Sequence, residues 1–257
     1  MTWTRALVTG ASSGIGRSMA QQLAEAGTAL VVVARDTERL EALAADLPVA
    51  VEVLGADLAT KKGRAAVADR IASHDEPIDL LVNNAGLGYA GDFVDIKDAD
   101  DRRTVDVNVV ALHDLTRTAA KVFVERGGGA ILNVSSIAGD LPGPGSATYN
   151  ATKAFVTSLS EGVHAELKGT DVTVTALCPG LTRTEFQERA GVGDMEFPDF
   201  LWQSADEVAK VGLDAAEAGK AVVVAGVPNK VWSRVARSMP RTAMRELARM
   251  TTSQRGR

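Results

Sequence analysis

Tyr149 and Lys153 stand four residues apart in Tyr-Asn-Ala-Thr-Lys, and helical spacing would set them on one face about 6 Å apart. An ammonium that close favours the tyrosinate and lowers a phenol pKa that is ordinarily near 10. Each pKa unit is worth about 1.4 kcal/mol, so a tyrosine acting as general acid or base near neutral pH needs roughly 3 to 4 kcal/mol from its surroundings. Upstream, Ser135 and Ser136 close an apolar run and offer two neighbouring hydroxyls.

A second candidate is Thr9-Gly10-Ala11-Ser12-Ser13-Gly14-Ile15-Gly16. Glycines so spaced let a backbone turn tightly and approach a pyrophosphate, whose charge is met by amide N–H groups and the positive end of a following helix. The spacing is Gly-x-x-x-Gly-x-Gly rather than the commoner Gly-x-Gly-x-x-Gly, and a plain glycine-rich strand-to-helix turn would read the same way. Arg35 follows the second apolar run, about 20 residues beyond the last motif glycine, where an acidic residue would hold an NAD ribose and an arginine instead suits the 2′-phosphate of NADP. Ser13 offers a hydrogen bond and Arg17 a charge, while Asp36 beside Arg35 leaves open a merely solvated arginine in an NAD-binding chain. NADP(H) is the favoured cofactor over NAD(H), and an oxidised nicotinamide would add to Lys153 in lowering the Tyr149 pKa.

The elements that must position these groups are legible as alternation. Short β-branched runs at 6–9, 29–34, 49–54, 78–83, 130–135, 172–178 and 221–225 alternate with amphipathic stretches at 17–26, 37–46, 61–73, 100–126, 149–168 and 204–218. The runs are continuously apolar, the pattern of parallel strands covered on both faces. The expected fold is α/β: a Rossmann-type doubly wound parallel sheet of about seven strands with helices on both faces, forming one dinucleotide-binding catalytic domain over residues 1–228. Ligands of such sheets bind beyond the carboxyl ends of the strands, where the glycine loop, Arg35 and the serine pair all fall.

Taken together these motifs resemble the short-chain dehydrogenase/reductase (SDR) family, in its single-domain branch, over about residues 5–227. Thr9 to Gly16 matches the family's Thr-Gly-x-x-x-Gly-x-Gly loop, Asp57-Leu58 its adenine contact, and Asn83-Asn84-Ala85-Gly86 its Asn-Asn-Ala-Gly segment. Asn108 matches its helix asparagine, Ser136 its serine by the interval of 13 residues to Tyr149, and Tyr149 with Lys153 its Tyr-x-x-x-Lys. Pro179-Gly180-Leu181-Thr182-Arg183-Thr184 matches its Pro-Gly-x-x-x-Thr segment.

The resemblance implies that Tyr149 passes a proton to a carbonyl oxygen as hydride arrives from the nicotinamide, and that Ser136 hydrogen-bonds that oxygen. It implies that Lys153 binds the nicotinamide ribose and poises the tyrosine, that Asn108 holds a water joining the lysine to solvent, and that Thr184 contacts the carboxamide. The implied cofactor contacts are Gly10, Ser12, Ser13, Gly14, Ile15, Gly16, Arg35, Asp57, Leu58, Asn84, Ala85, Gly86, Asn108, Tyr149, Lys153, Pro179, Gly180, Thr182 and Thr184.

Composition excludes several other chemistries. A chain of 257 residues buries roughly three quarters of its unfolded surface and needs no metal or disulfide to hold its core. Cys178 is the single cysteine and reads as a small buried hydrophobe. His74, His113 and His164 are not at ligand spacing, so no metal is expected. Apolar runs of about six residues fall far short of the 18 or more of a membrane-spanning helix. The first five residues leave no room for a secretory signal, which makes cytoplasmic residence the expectation. An acid excess and 4% aromatic content argue against nucleic acid.

In the family the segment after Thr184 closes over substrate, here about residues 185–203, with Phe186, Met195, Phe197, Phe200, Leu201 and Trp202. Together with Leu141-Pro142-Gly143-Pro144-Gly145 it leads us to expect a fairly hydrophobic carbonyl or alcohol substrate, unless these side chains simply pack on the core. Residues 229–257 differ from the rest. Lys230, Arg234, Arg237, Arg241, Arg245, Arg249, Arg255 and Arg257 against Glu246 give +7, and the remainder carries −12, summing to the net −5. With Val231, Trp232, Val235, Met239, Met244, Leu247 and Met250 and a break at Pro240, this reads as a basic amphipathic helical extension. It would lie on an anionic membrane, pack on a partner subunit in a homodimer or homotetramer, or dock on its own domain. The expected function is an NADP-dependent oxidoreductase interconverting a ketone or aldehyde with an alcohol. The alternative is a non-catalytic dinucleotide-sensing or scaffolding protein, against which Ser136, Tyr149 and Lys153 all speak.

Overall fold

The continuous apolar runs become strands in the computed structural model, which describes residues 2–191, 198–240 and 242–246. The expectations at Met195, Phe197, Arg241, Leu247, Arg249, Met250, Arg255 and Arg257 lie outside the described residues. In chain order the strands are β1 (Arg5–Thr9), β2 (Ala29–Ala34), β3 (Val51–Gly55), β4 (Leu80–Asn83), β5 (Gly129–Val134), β6 (Val172–Cys178), β7 (Thr182–Arg183), β8 (Gln203–Ser204) and β9 (Val222–Val224). The helices are α1 (Gly14–Glu25), α2 (Thr37–Asp46), α3 (Lys61–Ala72), α4 (Asp98–Val105), α5 (Leu112–Arg126), α6 (Ala147–Glu166), α7 (Phe186–Arg189), α8 (Ala205–Glu217) and α9 (Val227–Ser238).

Seven of the strands form one parallel sheet in the order β3-β2-β1-β4-β5-β6-β9, the doubly wound arrangement expected. Strand order reverses at β1, which pairs with β2 on one side and β4 on the other. Every residue of β1 is buried because its two faces feed two cores. Ala6 and Val8 join Met19 and Leu23 of α1 and Val208 and Leu213 of α8. Leu7 joins Ile71 of α3 and Leu115 and Phe123 of α5.

Two helical regions depart from the simple reading. The amphipathic stretch expected at 100–126 begins at Asp98 and is interrupted by a π-helical turn, Asp106–Ala111, which joins α4 to α5 and carries Asn108. Helix α9 starts at Val227, so residue 228 lies in its first turn and the chain shows no break there. Asn229, Ser233 and Ala236 share its buried face, while Val227, Val231, Trp232 and Val235 are exposed.

Candidate active site

Helix α6 carries Tyr149 and Lys153 one turn apart, and the Lys153 Nζ lies 5.7 Å from the Tyr149 ring centroid. The two serines after β5 part company. Ser135 is buried, its Oγ donating to the Lys153 carbonyl at 2.7 Å and sharing a hydrogen bond with Thr157 at 2.7 Å. Ser136 opens a 3-10 turn, Ile137–Asp140, where its Oγ accepts from the Ala138 N–H at 3.1 Å, donates to the Pro179 carbonyl at 3.5 Å and lies near enough to the Tyr149 phenol to draw its pKa down. Of the pair, only Ser136 is brought to the tyrosine.

The electrostatics differ from the simple expectation of a tyrosine lowered by its lysine. Burial pushes the Tyr149 phenol up to about 12, outweighing the Ser136 hydrogen bond that pulls it down. Burial also brings the Lys153 ammonium down to about 8. The lysine donates to the Val134 carbonyl at 2.9 Å, so its charge is partly spent on the backbone. A protonated phenol is the form in which a general acid acts, and its return toward neutral pKa needs further positive charge beside it.

The glycine loop is fastened to the end of β4 by a residue that the motif reading left out of the site. Thr9 is 1% exposed; its Oγ1 accepts from the N–H groups of Asn84 and Ala85, each at 3.0 Å, and donates to the Val82 carbonyl at 3.2 Å. Asn84 returns the contact by donating to the carbonyls of Thr9 (3.0 Å) and Gly10 (3.3 Å). Gly10 has φ +68, and a Cβ on Gly16 would lie 2.3 Å from the Asn84 amide nitrogen and 2.4 Å from the Gly10 oxygen. Ser13 precedes α1 without capping it, which leaves its hydroxyl available at the helix N-terminus beside Ser12 and Ile15.

Asn108 clamps the other end of that segment. It accepts from the Leu87 N–H at 3.0 Å and donates to the Leu87 carbonyl at 2.8 Å and to Thr152 at 3.0 Å. Gly86 is thereby held so that its Cβ position is 3.3 Å from the Lys153 Nζ and 3.5 Å from the Asn108 Oδ1.

Beyond the glycine loop, Arg35 is exposed at the end of β2. Asp36 is occupied as the cap of α2, accepting from the Arg39 N–H at 3.1 Å. Both Asp57 carboxylate oxygens accept from one Arg103 nitrogen, at 2.8 and 2.9 Å, and this pair with the Ala59 N–H holds the carboxyl below the ordinary value against the opposing effect of burial. Leu58 beside it is buried. Arg103 had no distinguishing signal in Asp-Arg-Arg.

Toward the mouth, Phe186 packs on the Tyr149 ring at 5.5 Å between centroids, and a Cβ at Gly88 would meet the same ring at 2.7 Å. Backbone bonds from Gly91 to Gly145 and from Ala90 to Ala190 tie together the three segments that rim the site. Phe93 and Val94, shortly after Gly91 in the chain, and Phe200 are exposed. Thr182 donates to the Gly180 carbonyl at 3.1 Å, and Thr184 donates to Gln187 at 3.1 Å while its methyl lies 3.0 Å from the Gly14 Cβ position. Gln187, which sequence reasoning missed, also donates to the Thr182 carbonyl and so fixes this turn. Among the described residues no cluster of metal-ligating side chains occurs and no helix is long and apolar enough to cross a membrane.

The arrangement suits a dinucleotide: a glycine turn at a helix N-terminus, an exposed cation after β2, and a buried lysine beside a tyrosine at the opposite end. Comparison with known proteins agrees. Residues 4–193 match the family model described as short chain dehydrogenase. The chain is 37% identical over 214 residues to sulfoacetaldehyde reductase 2 of Chromohalobacter salexigens, covering 80% of this chain and 85% of that one. A solved short-chain dehydrogenase from Sphingobium yanoikuyae in complex with NADPH superposes with a TM-score of 0.81 at 37% identity, over 92% of this chain and 96% of that one. The bulky-bulky ketone specific alcohol dehydrogenase of Comamonas testosteroni superposes at 0.80 with 31% identity, over 100% and 96%.

Proposed function

Because the chain belongs to the short chain dehydrogenase family, we propose that it is an oxidoreductase interconverting a ketone or aldehyde with an alcohol, using NADP(H). The observation that carries this reading is the meeting of Ser136, Tyr149 and Lys153 beside Gly86. When bound, the reduced cofactor supplies the hydride. Tyr149 gives its hydroxyl proton to the carbonyl oxygen, and Ser136 donates a hydrogen bond to that oxygen as negative charge builds on it. Lys153 would hold the nicotinamide ribose, and in the oxidation direction the positive charge of a bound oxidised nicotinamide would draw the phenol down from about 12 toward working pH. Asn108 keeps Gly86 and Leu87 in register with the lysine.

Gly10, Ser12, Gly14, Ile15 and Gly16 would hold the pyrophosphate, and Ala85, Pro179, Gly180, Thr182 and Thr184 the nicotinamide end. Asp57 and Leu58 would flank the adenine, and Arg35 with Ser13 would take the 2′-phosphate. That Asp36 is engaged as a helix cap supports NADP over NAD, since the acid next to Arg35 is committed elsewhere. The Sphingobium relative's NADPH complex supports the same choice. Phe186 on the tyrosine ring favours a fairly hydrophobic substrate. Cytoplasmic residence and a homo-oligomeric state belong to the same reading, as does a membrane-facing or subunit-facing use of the exposed Val227, Val231 and Val235 stripe.

The test is a panel of bulky aromatic ketones, medium-chain aldehydes and sulfoacetaldehyde with NADPH and NADH, reading nucleotide absorbance. Turnover of the bulky carbonyls with NADPH is expected. Absence of turnover on every carbonyl would return the chain to a sensing or scaffolding role, and preference for sulfoacetaldehyde would remove the hydrophobic-substrate reading.

A further inference from the structure

The turn that carries Ser136 is held at its far end by the C-terminal helix. Asp140 closes the Ile137–Asp140 turn, and its side chain is only 11% exposed. Its carboxylate accepts from the Ser233 hydroxyl at 2.6 Å and from the Arg237 Nε at 2.8 Å, both on α9. At its near end the turn is tied to the Pro179 carbonyl through the Ile137 N–H at 2.9 Å. Its middle lies against the backbone of α6: a Cβ on Gly139 would stand 2.7 Å from the Ala154 nitrogen and 2.8 Å from the Lys153 carbonyl carbon. The turn is therefore wedged between α6 and α9, and a displacement of Asp140 is transmitted through three residues to Ser136.

The same helix reaches the opposite wall of the site. Asn229, 7% exposed, donates to the Ala225 carbonyl at 2.8 Å, and its amide nitrogen lies 3.0 Å from the Gln203 amide. Its amide packs so closely that a Cβ on Gly180 would be 2.3 Å away. Gln203 lies in β8, which pairs with β7 at Thr182 and Arg183. One face of α9, read at Asn229, Ser233 and Arg237 with four-residue spacing, thus spans from the Pro179–Thr182 segment to the serine turn.

We propose that Asp140, gripped by Ser233 and Arg237, is a positioning residue that sets the Ser136 hydroxyl against Tyr149, making α9 a strut of the active site. This inference rests on the carbonyl oxidoreductase reading above. Neither hydroxyl nor carboxylate in the grip touches the reacting atoms, so its effect is indirect, and the turn that Asp140 closes is the one that Ser136 opens. A misplacement of about 1 Å at a reacting group can cost 100-fold; Asp140→Ala is accordingly expected to lower kcat about 10- to 100-fold, with NADPH affinity measured by fluorescence titration kept within about twofold.

The decisive readout is a double-mutant cycle. If Asp140 acts through Ser136, Ser136→Ala with Asp140→Ala is no slower than Ser136→Ala alone, because the group being positioned is already gone. A residue that merely stabilised the fold would give multiplied losses. Arg237→Lys, which keeps a cation for the carboxylate, is expected to recover most of the kcat lost in Arg237→Ala. Should Asp140→Ala fail to fold, the cycle is run with Ser233→Ala, which removes one bond and leaves the carboxylate, and the same non-additivity is required. An active wild type whose Asp140→Ala retains kcat, or a cycle with multiplicative losses, overturns the proposal alone. A wild type that reduces no carbonyl removes both this proposal and the reading beneath it.

Discussion

Thr9→Val isolates the joint between the glycine loop and β4. Valine keeps the shape and burial of threonine and removes only the hydroxyl, yet that hydroxyl makes three bonds, to the N–H groups of Asn84 and Ala85 and to the Val82 carbonyl. Two N–H donors lose their acceptor and each such loss costs about 1 to 3 kcal/mol, so these two alone cost about 2 to 6 kcal/mol, and the lost carbonyl bond adds to that. The damage is centred on Asn84 and Ala85, which back the loop expected to hold the pyrophosphate, so weaker NADPH binding should accompany lower stability. Urea unfolding at unchanged slope measures the first and nucleotide fluorescence the second. Thr9→Ser keeps the hydroxyl and should lose only about 1 kcal/mol for the missing methyl group. A Thr9→Val protein within about 0.5 kcal/mol of wild type would refute the reasoning, as would a serine variant as damaged as the valine one.

Three further outcomes are expected. Arg35→Asp should weaken NADPH by about tenfold or more, the worth of a charge-assisted hydrogen bond, while changing NADH far less; an unchanged ratio from paired titrations places the phosphate elsewhere. Ser135→Ala should leave kcat near wild type while costing about 1 kcal/mol of stability in urea unfolding, whereas Ser136→Ala should lower kcat by about 100-fold. In the cofactor-free protein the folded-state pKa of Lys153, about 8, lies below its ordinary 10.5. The unfolded chain therefore binds more protons through that window, and the lysine's contribution makes stability rise from pH 8 toward 10. Above about 10 the raised Tyr149 opposes it, because the unfolded phenol ionises first. Lys153→Met should abolish the rise in urea midpoint between pH 8 and 10, and an equal rise in the variant would contradict the assignment.

The sheet was legible because β1, β2 and β4–β6 are buried on both faces, and such strands must be continuously apolar. Tyr149 and Lys153 were legible because one helical turn suffices to relate them. The Asp140 grip was not, since Ser233 and Arg237 lie more than 90 residues away and an isolated serine and arginine in a basic segment carry no spacing signal. The π-helical turn at Asn108 was hidden because its residues keep the amphipathic pattern of a plain helix. The Tyr149 pKa of the cofactor-free chain was not legible, because spacing reveals the lysine but not the burial that pushes the phenol up. Thr9 stood inside a quoted motif, but only the structure shows its hydroxyl serving two strands at once.

The central claim is that Tyr149 is the proton donor in NADPH-dependent carbonyl reduction. Tyr149→Phe removes one oxygen and keeps the ring that packs on Phe186. Steady-state reduction of the best ketone in the panel, with NADPH binding checked in parallel, should show kcat/KM reduced about 100- to 10,000-fold at near-normal cofactor affinity. Reduction persisting near the wild-type rate in a variant that still binds NADPH would contradict the claim.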